Sequence, residues 1–221
     1  MQQFATPTPI AVVLDVPAAL IRLTATDRPD TTVDIRPADT TKTRDAQAAQ
    51  RIDTTYTDGV LHITAAPHKN LLGSAGTAEI TLQLPTGSHL AATTATTDLR
   101  TTGHLGEVTL DSAHGTLHLH ATTGARITLQ AGDITLTHLT GPAELITQKG
   151  DITVTEAHQG TVTLRTEYGH ITIGTARGTS ASLDAGTAHG RIHNALTNTA
   201  PTPTLTLHAT TTHGDIKAHT N

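Results

Sequence analysis

The sequence predicts an all-β solenoid with about two short strands per coil and two facing sheets, and three observations carry that prediction. First, a glycine, one polar residue and an apolar-Thr-apolar triplet recur, most plainly in Gly132-Asp133-Ile134-Thr135-Leu136 and Gly150-Asp151-Ile152-Thr153-Val154. The phrase returns at Gly106, Gly115, Gly160, Gly169, Gly190 and Gly214, with looser copies at Gly124, Gly141 and Gly178, and a repeat this short specifies an architecture. Second, the triplets alternate, so Ile134/Leu136, Ile152/Val154, Val162/Leu164, Ile171/Ile173 and Leu205/Leu207 each share one face of a strand while the intervening residues take the other. Third, roughly one residue in five is Thr, and Thr, Val and Ile suit a pleated, half-buried surface because their branched Cβ restricts χ1.

Taken in chain order, residues 1–100 are less regular than the rest. Leu20-Ile21-Arg22-Leu23, Thr32-Val33-Asp34-Ile35, Val60-Leu61-His62-Ile63 and Ala78-Glu79-Ile80-Thr81-Leu82 alternate as strands do, separated by Pro37, Pro67 and Pro85. Thr40 to Asp53, with Ala46, Ala48 and Ala49 inside it, is the helix candidate. This irregular portion is expected to cap a solenoid whose open strand edge would otherwise recruit another chain. Residues 101–221 carry the regular repeats in two interleaved series. One starts at Gly115, Gly132, Gly150, Gly169, Gly190 and Gly214, the other at Gly106, Gly124, Gly141, Gly160 and Gly178. The coil is therefore two strands long, and the interval after Gly190 is lengthened by a Pro-containing loop from Asn194 to Pro203. The whole chain, 1–221, reads as a single solenoid domain with Gly214-Asp215-Ile216-Lys217 at its C-terminal edge.

Composition excludes several function classes. The core must be aliphatic, because Phe4, Tyr56 and Tyr168 are the only aromatics among 221 residues. A formal net charge of −5 and no adjacent Lys or Arg residues remove the electrostatic footprint of nucleic-acid binding. With no Cys, disulfides, thiolate metal sites and Cys nucleophiles are absent. No segment reads as a membrane span, and Met1 to Pro9 lacks the basic start of a signal peptide, so a cytoplasmic location is the expectation. Gly87-Ser88 lacks a nucleophile-elbow frame. The repeat glycines lead into strands, whereas phosphate-binding loops lead into helices.

The Gly-Asp-Ile-Thr repeats, the Ile10 to Arg28 stretch, Ile80-Thr81-Leu82-Gln83-Leu84-Pro85-Thr86-Gly87-Ser88 and the Gly178 to Asn194 segment together resemble the bacterial β-strand-repeat family labelled "putative adhesin", a domain of unknown function. The likeness runs over nearly the whole chain. It implies a β-helical body, with the adhesin label resting on fold-level likeness to secreted β-helical proteins.

Three sets of residues are candidates for chemistry. His118 and His120 stand two apart on one strand and emerge on one face, within reach of a single divalent ion such as Zn²⁺; the competing reading is a solvated face, since Leu117 and Leu119 take the buried side. His114, Lys149, Tyr168, His189 and His213 precede repeat glycines, and stacking in register would line them along one edge as a ladder able to read an acidic polymer or partner. The competing readings are turn positions that tolerate polar residues and, for Tyr168, a partly buried corner ring. Asp133, Asp151 and Asp215 follow their glycines, with His170 and Arg191 at matching positions. Such carboxylates could coordinate Ca²⁺ or serve as an acid/base pair on polysaccharide, or accept backbone N–H bonds in their turns. No cofactor is expected. The sequence thus predicts a non-enzymatic scaffold or protein-binding module with an unknown protein partner or self-association. The alternatives are a carbohydrate-binding adhesin module at the cell surface and a carbohydrate-active enzyme using Asp133 and Asp151.

Overall fold

Strand periodicity in the sequence becomes two long parallel ladders in the computed structural model, which describes residues 1–66, 76–198 and 200–221. Pro67, one of the expected strand separators, lies outside the described residues. In chain order the elements begin with β1 (Gln2–Ala5), β2 (Ala11–Asp15), β3 (Ala18–Thr26), β4 (Asp30–Pro37), helix α1 (Thr43–Gln50), β5 (Ile52–Thr57), β6 (Val60–Ala65) and β7 (Ala78–Pro85). They continue with β8 (His89–Thr102), β9 (His104–Ala131), β10 (Ile134–Leu139), β11 (Ala143–Lys149), β12 (Ile152–Ala157) and β13 (Gly160–Tyr168). The last are β14 (Ile171–Thr175), β15 (Ala181–His189), β16 (Ile192–Ala195), β17 (Leu205–His213) and β18 (Ile216–Thr220).

Hydrogen bonding links each strand to the strand one coil away, which is why two ladders form. One runs β6–β2–β8–β9 and then β11–β13–β17–β15; the other runs β7–β3–β8–β9–β10–β12–β14–β18–β16. All these pairings are parallel. Strands β8 and β9 bend around corners and serve both ladders, so the hydrogen-bonded network is continuous. The inward residues stack in register: Ile80, Ile21, Leu99, Leu117, Ile134, Ile152, Ile171, Ile216 and Ile192 form one unbroken aliphatic row. Every member except the last is buried. Ile192 ends the row, and with no further coil beyond it 46% of its surface is exposed.

The N-terminal end is closed by antiparallel strands. β4 covers β7, β1 covers β4, and β5 covers β6 through a turn at Asp58 and Gly59, both at positive φ. A two-residue turn with both φ values positive matches the twist of a hairpin, so Asp-Gly is favoured there. Helix α1 is shorter than the Thr40 to Asp53 expectation and packs on β4, β5 and β7. Its buried Asp45 accepts a 3.0 Å bond from the Thr77 backbone N–H, which gives that carboxylate a partner.

Coil order at the other end departs from the expectation that Gly214-Asp215-Ile216-Lys217 forms the edge. β17 pairs with both β13 and β15, and β18 with both β14 and β16, so the C-terminal coil is inserted between coils 160–175 and 181–195. The physical reason lies at the inward positions. Coil 205–220 offers Leu205, Leu207, Ala209, Ile216 and Ala218, all fully buried, whereas coil 181–195 places Asn194 in register with Ala218. A polar residue at a core position is tolerated only in a terminal, capping coil. The loop that permits the excursion also covers part of the new edge: the Asn198 side chain accepts from Ala181 N–H at 2.9 Å and donates to Ala181 C=O at 3.0 Å, imitating a further strand.

Glycine is required at the corner that leads from the first ladder to the second. A Cβ on Gly150, at φ +145°, would collide with the carbonyl oxygen of Gly132, and one on Gly132 with that of Gly115. Gly150→Ala is therefore expected to cost about 2–5 kcal/mol from overpacking and backbone strain. Gly186→Ala serves as its neutral control, since a Cβ there has nothing within 4 Å. Urea unfolding of the two variants, read as midpoints at constant slope, checks the contrast.

Candidate functional site

The corner column fixes the backbone so closely that its polar residues become structural partners across coils. After Gly132, Gly150, Gly169 and Gly214, a side chain accepts the backbone N–H of the equivalent residue one coil on. Asp133 Oδ1 accepts from Asp151 N–H (2.8 Å), Asp151 Oδ1 from His170 N–H (2.7 Å), His170 Nδ1 from Asp215 N–H (2.9 Å), and Asp215 Oδ1 from Arg191 N–H (2.9 Å). The bonds cross to the next coil, whereas the sequence expectation kept them within each turn. The Arg191 N–H, followed by the Arg191 charge, holds the Asp215 carboxyl below the usual carboxylate range. Asp133 and Asp151 are consecutive rungs of this ladder, and each uses an oxygen on its neighbour's backbone.

A second row lies on the core side of the same corner and was not recognised in the sequence. Thr147, Thr166, Thr211 and Thr187 hydroxyls donate to the carbonyls of Gly132, Gly150, Gly169 and Gly214 at 3.0–3.2 Å. Thr147, Thr166 and Thr211 are buried, so these threonines line the core side of the corner. The available signal was Thr-x-x-Gly, as in Thr147 to Gly150, Thr166 to Gly169, Thr187 to Gly190 and Thr211 to Gly214. Because the donors satisfy carbonyls left turned inward at the bend, the corner is rigid and carries no orphaned acceptors at those glycines.

On the outer side of this rigid corner, Lys149, Tyr168, His213 and His189 follow one another in register. The Tyr168 and His213 rings stack at 4.8 Å between centroids with an interplanar angle of 8°, and His189 lies 4.7 Å beyond, tilted by 52°. Tyr168 is 56% exposed, where the sequence suggested a partly buried ring. His114 stands in the same column but is separated from Lys149 by Ala131, and its partner in register on the preceding coil is Thr96.

The corner leading from the second ladder back to the first gathers imidazoles. His104, His120 and His138 form successive edge-to-face contacts at 6.2 and 5.5 Å, and His158 lines the same groove. His120 of the candidate pair therefore stands beside His138, while His118 remains on the open strand face, in register with Arg100 and Thr135. His120, His138 and Glu156 are spaced by 18 residues, one coil apart, and that interval was the overlooked sequence signal.

Two parallel ladders closed at one end by antiparallel strands, with columns of glycine, Asx and threonine at the bends, define a repeat-built β-solenoid. Residues 11–221 match the Toastrack DUF4097 family, and the chain belongs to it. Solved structures with similar folds include a putative adhesin from Bacteroides fragilis (11% identity, TM-score 0.46, covering 98% of this chain and 95% of that one). Another is a putative adhesin from Parabacteroides distasonis (10%, 0.46, 98% and 95%). A third is a putative cell adhesion protein from Clostridium sporogenes (9%, 0.34, 98% and 94%). No curated protein shows significant sequence similarity to the chain. Among the described residues, no helix is long and apolar enough to cross a membrane.

Proposed function

We propose that this chain is a non-enzymatic binding module whose contact surface for a protein partner is the corner strip Lys149–Tyr168–His213–His189. The observation that carries the reading is the exposed, parallel-stacked Tyr168–His213 pair held on a corner that the glycine and threonine columns make rigid. A stacked aromatic pair is already ordered and loses little side-chain entropy on binding, and Tyr is among the residues that dominate interface energies. Lys149 in the same row and Arg191 just past His189 place positive charge along the strip, which suits an acidic segment of the partner.

A second reading, carbohydrate binding, draws on the exposed Tyr168 ring at the end of the same stack as an apolar contact for a sugar. Catalysis by Asp133 and Asp151 gains no support from their ladder bonds, because each carboxylate is committed to the neighbouring coil. The deciding experiment is affinity purification from the native host with wild type and Tyr168→Ala/His213→Ala, alongside glycan-array binding. The reading expects a stoichiometric protein partner on wild type, at least tenfold depleted on the variant, with both proteins melting alike. A partner retained equally by both moves the contact off this corner. Selective glycan binding lost in the variant supports the carbohydrate reading instead.

A further inference from the structure

We infer that His138, Glu156 and His158 form a binding site for one zinc-type divalent metal ion, with a fourth coordination position open to the groove. The donor types are those of a borderline-soft transition metal: two imidazoles and a carboxylate. Their donor atoms lie within 4.8 Å of one another. His138 Nδ1 stands 3.0 Å from Glu156 Oε2, and His158 Nε2 stands 3.5 Å from Glu156 Oε1. Ligands about 2.0–2.1 Å from a tetrahedral centre are separated from each other by about 3.3–3.4 Å, so the two imidazole–carboxylate separations already stand near the spacing that an ion requires.

The fold builds this arrangement across coils. Strict alternation breaks before the corner, where Thr137 and His138 both lie outside the core between buried Leu136 and Leu139, and Thr155 and Glu156 do the same between Val154 and Ala157. The pairing of β12 with β14 shifts register between Val154 and Ala157, a bulge that re-aims Glu156. His138 and Glu156 sit on the same rung of β10 and β12, and the His158 backbone N–H donates to Leu139 C=O at 2.9 Å, which fixes the bend that carries the third imidazole.

Two contrasts separate this cluster from the structural ladders. Asp133, Asp151 and Asp215 each accept from a backbone N–H, whereas the partners of the Glu156 carboxylate among the described residues are these two imidazoles. The groove beside them, about 250 Å³ and lined by His104, His120, Thr123 and Thr140 as well as the two imidazoles, leaves space for a water on the ion. His120 is engaged through Nδ1 with Gly103 C=O at 3.3 Å and lines the groove as a neighbour of the site. Metal binding would replace the contacts of the two imidazoles with Glu156 by coordination, each imidazole ligating through a ring nitrogen that carries no proton and keeping its proton on the other.

The test is a calorimetric titration of tag-free protein with Zn²⁺ alone, repeated with His138→Ala, His158→Ala and the control His62→Ala/His193→Ala at two exposed strand positions, with circular dichroism confirming the fold of each. One equivalent is expected in wild type and in the control. His138→Ala and His158→Ala should bind at least about 100-fold more weakly, beyond the effect of losing an outer-shell partner. Absence of saturable one-to-one binding, or binding unchanged in both single variants, overturns the inference. Co²⁺ added to wild type needs no variant: intense visible absorption supports a four-coordinate site, and only the weak spectrum of an octahedral ion overturns it.

Discussion

Ile171→Asp is expected to abolish the folded state or lower its melting temperature by roughly 10–20 °C, the shift that about 5 kcal/mol produces in a domain of this size. Ile171 is fully buried and touches the aliphatic row on both sides, through Ile152 on one coil and Ile216 on the next. Losing the isoleucine forfeits about 1.5–3 kcal/mol of burial, and an unpaired carboxylate in that row adds several kcal/mol. The position also multiplies the effect, because a solenoid is held by nearest-neighbour interfaces and a failed central rung uncouples those beyond it. Ile171→Val, which keeps the row apolar, should cost only about 0.5–1.5 kcal/mol. Thermal melts of the pair check the prediction. An Asp variant melting within a few degrees of the Val variant would mean that the row does not hold the coils together.

Removal of residues 205–221 is the second large effect, and its size follows from coil order. Were the coils stacked in sequence order, the deletion would remove only the last rung. Because β17 and β18 lie between β13/β14 and β15/β16, it also strips coil 181–195 of its partner. Leu205, Leu207 and Ile216 leave with the segment, a loss of about 5–9 kcal/mol of burial, and the inner faces of Val162, Leu164, Ile171 and Ile173 lose their cover. Hydrogen exchange should then show amides 181–195 without protection, while those of residues 90–150 stay protected. Persistent protection over 181–195 would show that this coil redocks directly on 160–175, placing Asn194 against the Ile173 rung.

What the sequence determined by itself was everything that repeats locally. The Gly-polar-apolar-Thr-apolar phrase encodes a strand of period two and a bend, so the all-β class, the inward faces of Ile134, Ile152 and Ile171, and the two alternating glycine series all follow from residues within a few positions of one another. The family was legible for the same reason. The candidate strip was partly legible: position before a glycine correctly aligned Lys149, Tyr168, His213 and His189, but position says nothing of ring planes or of exposure at Tyr168.

Only the tertiary structure decided which coil neighbours which. Parallel rungs offer chemically equivalent edges, so local pattern permits Gly214 to follow either Gly169 or Gly190; the choice falls to the full set of inward residues, where Asn194 suits an end and Leu205, Leu207 and Ile216 suit the interior. The same non-locality hid the cluster of His138, Glu156 and His158. Along the strand these residues belong to separate repeats, and a break in alternation, a bulge and one coil of stacking bring their donor atoms together.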